Sequence, residues 1–200
     1  MNDQLLNVQE ILVELLVNPG AYRSFASDPD GFGRAAGLDA EAREKLLGFN
    51  PREISTFRDI VAGTRALRFA ELLPRLRRNV RSAWQDYITR FFDSVVIRDG
   101  RNEHDVRLFV EFVERMCPDA RVVQGAKLEL ALLLLSNESA ARANGGFIDL
   151  AVDYELGSLL AEDLEAVQPA PRVRYRLIRN SESGQIDVFQ LADEQDVDAV

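Results

Sequence analysis

Three Asx–Pro steps constrain the first quarter of this chain more than any other feature. Asn18-Pro19, Asp28-Pro29 and Asn50-Pro51 each set a capping side chain directly before a proline. Proline at the first helical position loses no hydrogen bond, and the Asx side chain accepts from the free amides that follow it. Each step therefore closes one helix and opens another. Glu53 stands three residues after Asn50, which is the spacing of a capping box. Before the first step, Leu5, Val8, Leu12, Leu15 and Leu16 share one helical face. Gly37 and Gly48 sit where helix ends favour glycine. The pattern predicts short helices between residues 19 and 48 and a longer one over 51–72.

Pro74 interrupts the chain near Leu73. A second long helix is expected over 75–95, with Val80, Trp84, Tyr87, Ile88 and Phe91 on its apolar face. A turn follows at 98–102, then a helix ending before Pro118 and another over 120–141. The pattern changes at Asn144-Gly145-Gly146. Residues 147–152 read as a short strand or an extended lead-in, 154–167 as a helix and 168–171 as a linker. Two runs with period-two alternation, 173–178 and 186–191, flank the polar turn 180–184 and read as a β-hairpin. The expected fold is mainly α: a multi-helix domain over 1–144, then a small α/β module over 145–200 ending in the hairpin.

Composition excludes several chemistries. One cysteine, Cys117, leaves no intramolecular disulfide and no cysteine-cluster metal site. One histidine, His104, leaves no two-His metal site within the chain. The 24 basic residues stand against 33 acidic ones, a net charge of -9, which argues against general nucleic-acid binding. The first 17 residues lack a basic start and are interrupted by Gln9, Glu10 and Glu14, so they read as an amphipathic helix, not a signal peptide. The longest apolar run, 130–135, is far short of the about 20 residues of a membrane span. A soluble cytoplasmic protein without a membrane partner is expected.

Few constellations point to catalysis. His104 and Cys117 are each alone, and both read more simply as a helix-start residue and a small apolar side chain. Glu162, Asp163 and Glu165, and the group Asp193, Glu194, Asp196 and Asp198, lack the partners of a carboxylate metal site and read as solvated charge. The glycines at 31, 33 and 37 follow no strand and match no nucleotide fingerprint. No catalytic residue, metal or cofactor is assigned to this chain.

Two basic regions stand out. Residues 65–98 hold eight arginines against Glu71, Asp86 and Asp93, a local charge of +5, interleaved with Phe69, Trp84, Tyr87, Phe91 and Phe92. Within it, Arg75, Arg77, Arg78, Arg81 and Trp84 are candidate partner-binding residues. The readings left open are a surface for an acidic partner, nucleic acid, or helices whose arginines pair with neighbouring acids. The hairpin is the second region, with Arg172, Arg174, Arg176 and Arg179 on its first strand. An exposed edge strand can accept an extended peptide through backbone hydrogen bonds. It can equally be a packed hairpin whose arginines discourage aggregation. The candidate peptide-binding residues are Arg172, Val173, Arg174, Tyr175, Arg176, Leu177, Ile178, Ile186, Val188 and Phe189.

The order of these features resembles a known family. Ser27-Asp28-Pro29 followed by Gly37-Leu38, the run Leu72-Leu73-Pro74-Arg75-Leu76-Arg77-Arg78, the aromatic helix with Trp84 and Phe91-Phe92, the Lys127-Leu128-Glu129 helix and the terminal basic hairpin carry the likeness. They resemble the small partner proteins of TIM-barrel multinuclear iron enzymes in ribosomal peptide natural-product pathways of the methanobactin, bufferin and thia-amino-acid types. That resemblance implies a non-catalytic subunit. It would form a heterodimer with the iron enzyme, bind the leader of a precursor peptide and present a cysteine for modification. Iron would belong to the partner enzyme, and the peptide would lie on the strands 173–178 or 186–191. The competing expectation is a DNA-binding transcriptional regulator that uses the arginine-rich helices and a wing-like hairpin. An enzyme using His104 or Cys117 is the third.

Overall fold

The computed structural model describes residues 2–97, 102–160 and 163–191. Residues 98–101 of the expected turn, Glu162, the acidic residues after Leu191 and the side chain of Leu5 lie outside the described residues. The fold is mainly α with a small antiparallel sheet near its C-terminus. Helices α1 (Asn2–Val17), α2 (Pro19–Ser27), α3 (Pro29–Ala35), α4 (Ala40–Leu47) and α5 (Pro51–Leu72) come first. Helices α6 (Pro74–Val80), α7 (Trp84–Ser94), α8 (Asn102–Met116), α9 (Ala120–Ser136) and α10 (Glu138–Ala143) follow. Strands β1 (Phe147–Tyr154), β2 (Pro169–Arg179) and β3 (Ile186–Leu191) form one sheet in the order β1-β2-β3. Among the described residues, no helix is long and apolar enough to cross a membrane.

The caps are where the Asx–Pro steps place them. Asn18 Oδ1 accepts from Gly20 N and Ala21 N, and Asp28 Oδ1 accepts from Gly31 N. Asn50 Oδ1 accepts from Arg52 N at the head of α5. Gly37 adopts φ +74° after α3, a left-handed conformation that glycine takes without a Cβ clash.

The contacts divide the chain into two compact units. One holds the residues up to Arg68 together with the stretch from Gln85 that contains α7. Leu15, Phe25, Leu46 and Ile54 form its buried cluster, with Tyr22, Phe32 and Leu38 packed around it. Arg58 lies against this cluster and donates to Leu15 O and Leu16 O at the C-terminus of α1, where helix carbonyls favour a cation.

The second unit holds residues 69–84 and α8 onward. Leu128, Ala131 and Leu135 of α9 pack on Leu150, Val152 and Leu177 of the sheet, closed by Leu159 and Val167. Each fully buried leucine contributes about 1.5–3 kcal/mol of transfer free energy. The boundary expected at Gly145-Gly146 falls inside this unit, at the turn that leads from α10 into β1.

Several expected elements differ. The helix expected over 75–95 is broken: α6 ends at Val80, Arg81 takes φ +43°, and a single 3-10 turn, Arg81–Ala83, precedes α7. The helix over 120–141 is divided by Asn137, whose extended backbone ends α9 and whose side chain accepts from Ala140 N to start α10. The helix expected over 154–167 is absent, and 3-10 turns stand at Ser158–Leu160 and Leu164–Ala166. Tyr154 pairs with Pro169, and Glu155 N donates to Gln168 O at 2.9 Å. A helix of that length would separate its ends by about 20 Å, whereas cross-strand partners sit about 5 Å apart. The segment therefore has to double back. The expected linker is the start of β2, with Pro169 at the first strand position, where its missing N–H is tolerated.

Candidate functional site

The hairpin strands and β1 form the surface on which most of the candidate residues meet. β2 is the central strand, paired with β1 on one side and β3 on the other. Between Arg174 and Arg179 its backbone groups are committed on both sides, so an added strand there has to take an outer edge. Two bonds set the parity of the ladders. Arg179 N donates to Gly146 O at 3.0 Å, and Asn180 N donates to Gln185 O at 2.8 Å. Odd-numbered residues of β2 therefore turn their backbone groups to β1 and even-numbered ones to β3. On β3, Asp187, Phe189 and Leu191 face Ile178, Arg176 and Arg174. The N–H and C=O of Ile186, Val188 and Gln190 are then directed to the outer edge.

The β1 edge is different at its far end. The register shifts between Val152 and Tyr154, leaving a bulge at Asp153. Gln124 of α9 accepts from Asp153 N at 2.8 Å and donates to Asp153 Oδ2 at 2.7 Å. One side-chain amide thus occupies both the backbone donor and the carboxylate there.

Alternation sorts the side chains into two faces. Val173, Tyr175 and Leu177 lie on the face that packs on α9, and Leu177 is fully buried. Arg172, Arg174, Arg176 and Ile178 lie on the other face, together with Phe147, Asp149 and Phe189. Phe189 is 52% exposed, and Val188 at the edge is 47% exposed. Ile186 is half-buried.

The four arginines of β2 are in four situations. Arg176 holds Asp149 through two bonds of 2.7 and 2.8 Å, with its guanidinium 4.4 Å from the centre of the Phe147 ring. This hydrogen-bonded pairing keeps the Asp149 carboxyl below its ordinary range. Arg179 donates to Leu135 O and Ser136 O at 2.8 and 3.0 Å, closing the C-terminus of α9. Arg172 approaches Asp153 at 3.8 Å from a largely exposed position. Arg174 is exposed and forms no ion pair among the described residues. It is the β2 arginine left to meet an external acid.

The other basic region is divided. Arg65, Arg68 and Arg90 belong to the first unit, and Arg75, Arg77, Arg78 and Arg81 to the second. Arg98 lies outside the described residues. Arg77, Arg78 and Arg81 are exposed, and Arg75 is half-buried. The backbone beneath them is held by Glu129, whose carboxylate accepts from Arg75 N and Leu76 N, both at 2.9 Å. Leu73, the residue before Pro74, has no side-chain oxygen to cap α6, and Glu129 supplies that function from 54 residues away. Burial pushes the Glu129 pKa up against these two bonds. The interleaved aromatics serve the core. Phe69 stacks on Phe109 at 4.9 Å, and Trp84 meets Phe109 edge-on at 5.4 Å.

His104 is exposed on α8. Cys117 is half-buried, with its Sγ 3.8 Å from Asp119 O. Among the described residues, no group of three or more His, Cys, Asp or Glu side chains is placed to hold a metal ion. Gln124 and Asp149 were not singled out by the sequence, and Glu129 entered only within the Lys127-Leu128-Glu129 helix of the resemblance. Asp149 alone had a signal there: it alternates with Leu150 in a strand that pairs with a basic one.

Comparison with known protein families, curated proteins and solved structures finds no match for this chain.

Proposed function

We propose that this chain is a non-catalytic peptide-recognition subunit. It takes an extended segment of a precursor peptide along the outer edge of β3 and presents that peptide to a separate multinuclear iron enzyme that modifies a cysteine. The observation that carries the peptide half is the outer edge of β3: among the described residues no strand pairs with it, and the outward backbone groups of Ile186, Val188 and Gln190 lie beside exposed Phe189. Backbone pairing supplies affinity in this mode, and the flanking side chains supply preference. Arg174 adds a cationic group on the Phe189 face and favours acidic side chains in the peptide. The enzyme half rests on the resemblance of feature order to iron-enzyme partner proteins, with iron held by the enzyme.

The discriminating substitution is Val188→Pro. Proline removes the outward N–H while leaving the β2 ladder intact, because residue 188 does not donate to β2. A fluorescein-labelled peptide of alternating Glu and Val is the probe. Wild-type protein is expected to raise its polarisation, and Val188→Pro is expected to weaken binding about tenfold or more. Equal binding by both proteins refutes strand addition at this edge. Gel-filtration co-elution with the product of a neighbouring gene tests the second half, and separate elution removes it.

A further inference from the structure

The sheet face that carries Phe189 is not uniform along β3. Asp187, Phe189 and Leu191 lie in register with Ile178, Arg176 and Arg174 of β2. Asp187, Phe189 and Arg174 are exposed, and Leu191 is half-buried. Among the described residues, neither Asp187 nor Arg174 makes a side-chain hydrogen bond or an ion pair. Arg176 between them differs, because its charge is spent on Asp149 and its guanidinium lies over the Phe147 ring. From position 187 to position 191 the face therefore runs from a carboxylate, past an apolar ring, to a guanidinium.

An added strand meets this row one side chain at a time. The backbone groups of Asp187, Phe189 and Leu191 turn toward β2. Each of the three then forms a non-hydrogen-bonded pair with the incoming strand, the pair type in which facing side chains come closest. A residue opposite Phe189 meets the ring. A residue opposite Asp187 meets a carboxylate whose β2 neighbour, Ile178, offers it no cation. A residue opposite Leu191 looks across that leucine to Arg174. Two strand spacings, about 10 Å, separate it from β2, within the joint reach of a glutamate and an arginine side chain.

We infer that the β3 edge selects a charge-ordered segment: an acidic residue opposite Leu191, an apolar residue opposite Phe189 and a basic residue opposite Asp187. This inference rests on the peptide reading and adds a direction to it. Antiparallel pairing is slightly the more stable per residue, and it reads the segment as acidic-x-apolar-x-basic from N- to C-terminus. A segment with glutamate at every second position satisfies Arg174 but sets a like charge against Asp187, so it is a weaker ligand than the ordered one.

Two fluorescein-labelled peptides of one composition test it. In the first, Glu, Val and Lys follow in that order and alternate with Thr; in the second, Glu and Lys are exchanged. By fluorescence polarisation, wild-type protein is expected to bind the Glu-first peptide about fivefold more tightly than the Lys-first one. The double variant Arg174→Glu/Asp187→Lys inverts the row and is expected to invert the preference. The preference is a ratio read within one protein, so a change in stability alone does not move it. Val188→Pro is expected to weaken both peptides. Equal binding of the two by wild type, or a preference that the double variant leaves uninverted, overturns the charge order; strand addition survives that result where Val188→Pro still weakens both. Binding of neither peptide, or Val188→Pro without effect, overturns strand addition and the charge order with it.

Discussion

Four arginines lie on or beside α6, at 75, 77, 78 and 81, and four lie on β2, at 172, 174, 176 and 179. Counted as charges the two groups are equal. On β2, Arg176 is locked to Asp149 and Arg179 to the end of α9, so half of the group serves the fold. On α6, the fold is served by the helix backbone, which Glu129 grips, while Arg77 and Arg81 are exposed. A run of basic residues in a sequence therefore overstates the charge available to a partner when the run is a strand beside acids. It comes closer to the truth when the anchoring acid binds peptide N–H groups.

The sharpest way to break this contrast is to remove the grip on α6. Glu129→Ala leaves the buried N–H of Leu76 and the partly buried N–H of Arg75 without their acceptor and is expected to cost about 2–5 kcal/mol of unfolding free energy in urea titrations. The pH dependence has a definite sign. The folded-state pKa of Glu129 is raised by burial, so the folded chain binds its proton more readily than the unfolded chain does. Its contribution is fully present below the ordinary glutamate range and declines as pH rises through the raised value. The gap between wild type and Glu129→Gln, which cannot titrate, is expected to narrow over that interval. A gap that widens contradicts the assignment.

Arg179→Ala comes next. It removes two charge-assisted bonds to the α9 carbonyls and is expected to cost about 1–3 kcal/mol. Thermal melts check it, and an unchanged melting temperature shows that Arg179 is not a structural group. Arg174→Glu is the smallest in stability and the most specific in function. It is expected to leave unfolding unchanged and to weaken the acidic probe peptide about fivefold, as an exposed charge contact allows. A stability loss as large as that of Arg179→Ala erases the distinction between the two arginines.

The helical half was legible because its signals are local. Asn18, Asp28 and Asn50 cap helices two or three residues away, and proline enforces each start, so the bounds of α5 match the expected 51–72. The hairpin was legible for a similar reason, since alternation and a polar turn are read within one short window. What escaped depends on partners distant in sequence. Glu129 looks like any helix glutamate until α6 is set against α9. The 3-10 turns between β1 and β2 are imposed by the Tyr154–Pro169 pair, which no window over 154–167 contains. The candidate edge was half legible. The strands were read, but only the β1-β2-β3 order places β2 in the middle and gives β3 the outer position.

The Gln124 clasp on Asp153 has a consequence for stoichiometry. A sheet open on both sides can be extended from either side, and such subunits can join edge to edge into filaments. Here one side is interrupted by a bulge and a side-chain amide that mimics a neighbouring strand. Edge pairing is thereby biased to the β3 side, so under the peptide reading proposed above one molecule receives one peptide and the ladder stops there. Under that reading, freeing the clasp converts a receptor of single capacity into a building block.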